Sequence, residues 1–438
     1  MAGALIRIAA LLLPGTEDVG VWKIWTYNGA IHAPSRLYGV GGTPTVWRVL
    51  KFNNAAGPVV YPPLGLYELS AVGRAYRAAN GGRFPDNMTL TASIKLLIVA
   101  SEVAFLALLV RYVRRVSGPD AAHWAAIAYW INPAVLLAGS LLGYLDPLYT
   151  LPAAAAVFAA AEGWGLTAGA LIAAAALTKP QGVILVPVVF LGLWSTSSTR
   201  AAAWLRLAWL AVGGAAVTAI VVAPIVAVGG FPNLVLAMSR LAHHDMLSAN
   251  ACNLWWIVGY ILRVVYAAHD IGLWTAITMH PRILAISRVI ELGYPDARLI
   301  GTALTGAAAA WALWTARRAH DAFMLAGIGA FLMHAYATLA AQVHENHLYA
   351  AVPLLVIAAA GRREYRPVLY AVSALFALNL NLFYGISEYG FRGRFMIPRS
   401  LTIIDLSVLA AVVNCGMLAW HATVLRRACE PPAAGVSR

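Results

Sequence analysis

The chain has 438 residues, of which 61% are hydrophobic and only 11% charged. Soluble globular proteins carry roughly 25% charged residues, so an ordinary cytosolic enzyme, a disordered tail and a disulfide scaffold are all excluded. The formal charge of +13 would ordinarily raise nucleic acid as a partner, but the basic residues sit in short clusters between long apolar runs and read as membrane topology.

A helix needs about 20 apolar residues to cross the hydrocarbon. In chain order, spans are predicted near 2–14, 90–110, 122–143, 147–162, 164–178, 181–195, 207–228, 299–315, 322–341, 347–360, 367–384 and 402–422. The first is short. It reads either as a signal-peptide core without a small-residue cleavage site or as a truncated first helix. Short Arg-rich loops stay in the cytoplasm. The clusters Arg111/Arg114/Arg115, Arg200/Arg206, Arg317/Arg318, Arg362/Arg363/Arg366 and Arg426/Arg427 all fall on that side if the N-terminus is inside. One extra crossing would flip half of them, so the Trp-rich stretch Asn253–Trp274 is expected to be interfacial or re-entrant.

The expected fold is all-α: one polytopic domain over residues 1–438 with about twelve transmembrane helices. Two large outer loops remain, about 15–89 and about 229–298. In the first, Val19, Trp22 and Trp25 share a helix face, which reads as an amphipathic helix on the membrane surface. Pro62 and Pro63 start a second such helix. The motifs GxGxxG, GxxxxGK[ST] and DxD are absent. Cys252, Cys415 and Cys429 have neither CxxC nor metal-like spacing.

This topology collects polar residues on the outer face. They are Asp18, Asp146 in Gly143-Tyr144-Leu145-Asp146-Pro147, Lys179 in Thr178-Lys179-Pro180-Gln181, the run His344-Glu345-Asn346-His347, and Glu388, Arg392, Arg394 and Arg399. Lys179 and the three arginines break the positive-inside rule, which points to an anionic partner such as a lipid phosphate. The bland account is snorkelling to headgroups. For Asp18 the bland account is helix capping, a role that Glu17 could also fill. His344 and Glu345 are adjacent and do not share a helix face, so a phosphate or sugar contact is favoured over a metal half-site. His243, His244 and Asp245 read as a solvated loop. Lys95 and Glu102, seven apart on one face, are expected to pair with each other.

These residues, in this order, resemble the polytopic GT-C glycosyltransferases that use polyprenyl- or dolichyl-phosphate sugars. The resemblance runs through Asp18, Trp25 and Gly29, Tyr61-Pro62-Pro63-Leu64, Asn132-Pro133, Gly143 to Asp146, Thr178 to Gln181, Ala249 to Trp256 and Val343 to Tyr349. It implies that Asp18 is the catalytic base. It places Lys179 and His344-Glu345 near the donor phosphate. Arg392 and Arg394 are the further phosphate-binding candidates, and Asp146, Glu345 and Tyr61 are the substrate-contact candidates. Asn346 stands where family members often carry Arg or Lys. Trp255-Trp256 is followed by Ile257, so the Trp-Trp-Asp motif of oligosaccharyltransferases is missing and en bloc transfer is disfavoured.

The expected activity is inverting transfer of a hexose, mannose favoured, from the lipid phosphate to an acceptor hydroxyl on the extracytoplasmic side of the cell membrane. The expected partners are that donor, a glycan or glycolipid acceptor and the bilayer, with no nucleic acid. No cofactor is required, since Arg and Lys can cover a single phosphate; a divalent metal is the less favoured option. The alternative is a transporter or lipid-linked-sugar flippase, for which the break at Thr178–Gln181 would be the binding site.

Overall fold

The structure is a computed structural model that describes residues 1–41, 49–241, 243–387 and 395–430. Glu388, Arg392 and Arg394 lie outside the described residues. The described residues are all-α apart from two small strand pairs. Among the described residues, five helices are long and apolar enough to cross a membrane: Met88–Trp130, Arg200–Ala227, Ala322–Leu339, Arg363–Tyr384 and Leu406–Cys429.

The first helix, α1 (Ala2–Ala10), has nine residues. At 1.5 Å per residue it spans about 14 Å, less than half the ~30 Å of a bilayer core. The first large loop follows, with α2 (Glu17–Ile31), a hairpin of β1 (Val49–Phe52) and β2 (Ala55–Pro58), and α3 (Pro63–Ala79). Helices α2 and α3 approach closely because glycines face backbone. A methyl group on Gly73 would sit 2.1 Å from the Thr26 carbonyl oxygen, and one on Gly29 would sit 2.0 Å from Ser70 Oγ. The face carrying Val19, Trp22 and Trp25 is turned to protein and is buried. Trp22 Nε1 donates to Gly143 O and Trp25 Nε1 to Pro58 O.

Helix α4 (Met88–Trp130) is two helices joined at Gly118, whose φ of 86° and following Pro119 break the backbone path. This joint falls between the expected second and third spans. A short turn from Pro133 and a π-helical turn, Leu136–Leu141, lead to α5 (Asp146–Ala161). Next come α6 (Gly165–Thr178), a 3-10 turn from Pro180, α7 (Val186–Ser195) and α8 (Arg200–Ala227). Helices α6 and α8 pack backbone to backbone through small residues: methyl groups on Gly169 and Gly213 would meet the Leu210 and Leu166 carbonyl oxygens at 2.0 Å.

The second large loop holds α9 (Phe231–Leu241), β3 (Ser248–Ala249) and α10 (Leu254–Ile271). Asn253 caps α10 by accepting from Trp256 N. The helix stops at Gly272, φ 80°. Trp256 Nε1 donates to Ser407 Oγ, and Trp255 Nε1 to Leu339 O, so this segment is bound to the bundle and is not among the helices apolar enough to cross. Two six-residue helices, Leu273–Thr278 and Ile286–Glu291, follow, and then the longer α11 (Ala297–Thr315), α12 (Ala322–Leu339), α13 (Ala351–Gly361), α14 (Arg366–Tyr384) and α15 (Leu406–Cys429). Helices α5, α12, α13 and α14 bury one core around Phe158, Phe331, Val352 and Phe376. Between α12 and α13, β4 (Val343–His344) pairs in parallel with β3. That pairing ties the second loop to the His344–His347 segment.

The expected pair of Lys95 with Glu102 does not form. Seven residues along one helix is about 10 Å, and each group finds a nearer partner. Glu102 Oε2 accepts from Arg7 Nε at 2.7 Å and from Ser140 Oγ at 2.9 Å. The Arg7 guanidinium also donates to Gly3 O and Trp130 O and lies 3.6 Å over the Trp130 ring. Lys95 Nζ instead donates to the carbonyl oxygens of Ala10, Leu13 and Leu141. The fully buried Arg7–Glu102 pair holds α1 against α4. Removing one member of such a pair leaves a buried lone charge, which costs roughly 3–5 kcal/mol. Glu102→Leu should therefore melt well below the parent in detergent, and adding Arg7→Met should recover most of the loss. Equal melting of all three proteins would show that the pair does not anchor α1.

Candidate functional site

Three interrupted helix ends converge on one place. At the first, the π-helical turn ends at Leu141 and the chain reverses at Gly143, φ 83°, before Asp146 opens α5. A residue with Cβ is strained there, and a methyl would also meet Val19 at 2.7 Å. At the second, α6 ends at Thr178 because Pro180 has no N–H to continue it. Lys179 takes the extended conformation favoured before proline, φ −150°, ψ 135°. At the third, α12 ends at Leu339 and the strand and 3-10 turn spanning Val343–Leu348 lead into α13.

The three ends are joined through one carboxylate. Asp146 Oδ1 accepts from Lys179 Nζ at 2.8 Å, and Oδ2 accepts from Asn346 Nδ2 at 2.9 Å. Lys179 and Asp146 are 1% and 0% exposed, so this is a buried ion pair with both carboxylate oxygens engaged. The Lys179 ammonium lies 5.9 Å from the ring centres of Tyr61 and Tyr149. Asn346, standing where a cation is common in the resembling family, donates to an acid instead.

Beside this junction lies a cavity of about 650 Å³, lined by Asp18, Tyr61, His344 and Asn346 together with apolar groups. Asp18 is the second residue of α2, and the N-cap position is occupied by Thr16, whose hydroxyl donates to Leu142 O. Asp18 is thus inside the helix rather than at its N-cap position. Its charge sits in the first helical turn, where the helix dipole favours an anion. Trp22, Trp25 and Tyr61 form an aromatic cluster on the same wall, with ring centres 5.0–5.4 Å apart.

Glu345 lies just behind the wall and its Oε1 accepts from Tyr144 OH at 2.5 Å. Burial pushes its carboxyl up to about 7, and the charge of Asp18 acts in the same direction. Burial pushes the His344 imidazole down to about 4, helped by His244 and Lys179. His344 is therefore neutral at pH 7 and offers hydrogen bonds rather than charge. Its ring lies 5.8 Å from that of His244 and 5.4 Å from that of His347. His347 Nε2 is 2.9 Å from Gln181 Nε2.

The structure thus brings together Asp18, Tyr61, Asp146, Lys179, His344 and Glu345. It places Arg399 elsewhere: its guanidinium is ion-paired with Asp405 at 2.9 Å and stacks 4.7 Å from Phe383. Of two further wall residues, His244 reads from sequence as part of a solvated loop and Arg298 is not marked at all. His244 lines the cavity, while its neighbour Asp245 binds Ser287. Arg298, at the start of α11, also lines the cavity, and its Nε pairs with Asp296 at 3.0 Å. For His244 the signal was composition alone. For Arg298, in a stretch that reads as the entrance to a span, there was none. Among the described residues, no three His, Cys, Asp or Glu side chains are grouped to hold a metal ion.

This arrangement can take a proton on an acid at a mostly apolar wall. It can also offer hydrogen bonds and positive charge to an anionic group opposite. No protein-family profile matches the chain, and no curated protein matches it. Among solved structures, the chain is similar to ArnT from Cupriavidus metallidurans in the apo state, with a TM-score of 0.49 and 16% identity over 98% of this chain and 76% of that one.

Proposed function

We propose that the cavity is the active site of an inverting membrane glycosyltransferase. It moves a hexose, mannose favoured, from a polyprenyl- or dolichyl-phosphate sugar to a hydroxyl of a glycan or glycolipid on the extracytoplasmic face. One observation carries the reading: a single cavity of a membrane-embedded bundle is lined by the Asp18 carboxylate, the imidazoles of His244, His344 and His347, and Arg298, with the Lys179–Asp146 pair buried beside it.

In the reaction, the acceptor oxygen bonds to the anomeric carbon while the bond from that carbon to the lipid phosphate oxygen breaks. The electron pair leaves with the phosphate. The acceptor proton goes to Asp18, a general base. Developing charge on the leaving phosphate is met by pre-placed donors in a dry site, where they act most strongly. Arg298 and neutral His344 are the donors on the cavity wall. Lys179 acts from behind Tyr61, with its charge shared with Asp146. Arg392 and Arg394, outside the described residues, are the further cations of this reading. Tyr61 faces the sugar and acceptor, and Glu345 acts from behind the wall through Tyr144. No metal has a step in this scheme.

The test of the base is Asp18→Asn, which keeps the shape at the start of α2. Turnover should fall 10²–10⁴-fold, the range for a lost positioned base, while donor binding and melting temperature stay with the parent. Retained turnover would move the role to Glu345. Movement of lipid-linked sugar between leaflets, with no release of free lipid phosphate when donor and acceptor are mixed, would establish the transporter reading instead.

The two cations should separate by phenotype. Arg298→Ala should weaken binding of the polyprenyl-phosphate sugar about ten- to a hundredfold, the size of a charge-assisted contact of 1.5–3 kcal/mol, with little change in melting. Lys179→Ala should lower stability by roughly 3–5 kcal/mol because it leaves Asp146 buried without its partner, and Asp146→Asn in the same chain should recover most of that. Binding isotherms and thermal unfolding in detergent read both effects.

A further inference from the structure

We propose that Lys95 is the positioning residue for the catalytic base: its buried ammonium fastens together the two helix ends from which Asp18 and the Asp146 junction are hung. The proposal rests on the reading of Asp18 as the base.

Lys95 is completely buried in α4. An ammonium has three donors, and all three are engaged: Ala10 O at 3.0 Å, Leu13 O at 2.7 Å and Leu141 O at 2.7 Å. Ala10 is the last residue of α1, and Leu141 the last of the π-helical turn. Both are helix C-terminal ends, where unpaired carbonyls carry partial negative charge and favour a cation. This explains how a buried lysine stands here on carbonyls rather than on a carboxylate.

The chains leaving these two ends carry the site. From α1 the path runs through Leu13 and Gly15 to Thr16 and Asp18. From Leu141 it runs through Leu142 and Gly143 to Tyr144 and Asp146. Beyond the lysine the two paths are laced directly. Thr16 N donates to Leu142 O at 3.0 Å, and Trp22 Nε1 donates to Gly143 O at 3.1 Å. Three consecutive carbonyls, 141 to 143, are thus taken in turn by α4, by the start of α2 and by its second turn. Tyr144 and Asp146 then reach Glu345 and Lys179. Without the ammonium, three carbonyls at two helix ends lose their tie to α4 together, Ala10 O keeping its turn bond from Leu13 N, and the register of Asp18 against the Asp146 junction is released.

The test compares Lys95→Met and Lys95→Gln in the full chain reconstituted in lipid nanodiscs, by amide hydrogen exchange and by kinetics. Lys95→Met keeps the length and removes the donors. Exchange should speed up about tenfold or more in residues 11–19 and 141–147, consistent with local opening, while α12 stays at the parent rate. Turnover should fall about ten- to a hundredfold, the loss expected from an ångström-scale misplacement, with donor affinity unchanged. Lys95→Gln, whose amide supplies two donors, should recover part of both losses; a residue that only filled space would show no such rescue. Unchanged exchange in either stretch overturns the clamp. Faster exchange with parental turnover overturns the positioning role. Should Lys95→Met fail to fold, Lys95→Gln must show the same two-stretch exchange pattern and a smaller fall in turnover, or the proposal falls. Parental turnover in Asp18→Asn would remove the base reading, while the exchange result would still decide the clamp.

Discussion

Irregular backbone inside a membrane bundle is tolerated only where its polar groups are satisfied by protein or by a water-filled cavity. The structure depends on this constraint at three interrupted helices. The breaks after Leu141, Thr178 and Leu339 free carbonyls and N–H groups that a continuous helix would pair. Here they are closed by side chains and by a two-residue parallel strand pair. The same breaks turn Asp146, Lys179 and Glu345 away from lipid. Polar chemistry collects where the helices fail because only there can buried polar groups find one another.

Electrostatics then sorts the cluster. An ammonium and a carboxylate buried at 2.8 Å satisfy each other, so the Asp146–Lys179 pair contributes a local dipole more than a free charge. A buried pair of this kind fixes geometry while adding little net stability. With His344 neutral, the positive charge on the described cavity wall is that of Arg298, offset by its pairing with Asp296. An anion entering the cavity meets hydrogen-bond donors and partly compensated charge. That balance suits a group that must bind and then leave, since complementarity to the charge-developing state matters more than tight ground-state holding.

Much of this was legible in the sequence. The apolar runs placed the helices, isolated polar residues between runs pointed to Asp18, Asp146, Lys179 and His344–Glu345 as one group, and Tyr61 came with the family resemblance. The helix-breaking function of Pro180 and the strained turn at Gly143 have local causes. What was not legible depends on which helix lies beside which. The partners of Lys95 and Glu102 are decided by α1, whose nine residues carry no strong pattern of their own. Arg298 reaches the wall only because α11 packs there, and His244 only because β3 pairs with β4. Asn346 was marked as a departure from the resembling pattern, and its partner, Asp146, is 200 residues away.

The short helices give the site its depth. Helix α13 has 11 residues, about 16 Å of rise, against the ~30 Å of a hydrocarbon core. The chain that returns from α12 therefore makes up the difference with the strand and 3-10 turn that carry His344, Glu345 and Asn346. Helix α6 has 14 residues and stops short in the same way at Lys179. Truncated helices leave a recess in the bundle, and its walls are lined by the breaks themselves. Such a recess lowers the local dielectric, which strengthens each hydrogen bond made inside it and makes each one left unmade expensive. The charged groups beside it are held accordingly: both oxygens of Asp146 are engaged, as are, deeper in the bundle, all three donors of Lys95. Rigidity at the site follows from the same depth that makes the site possible.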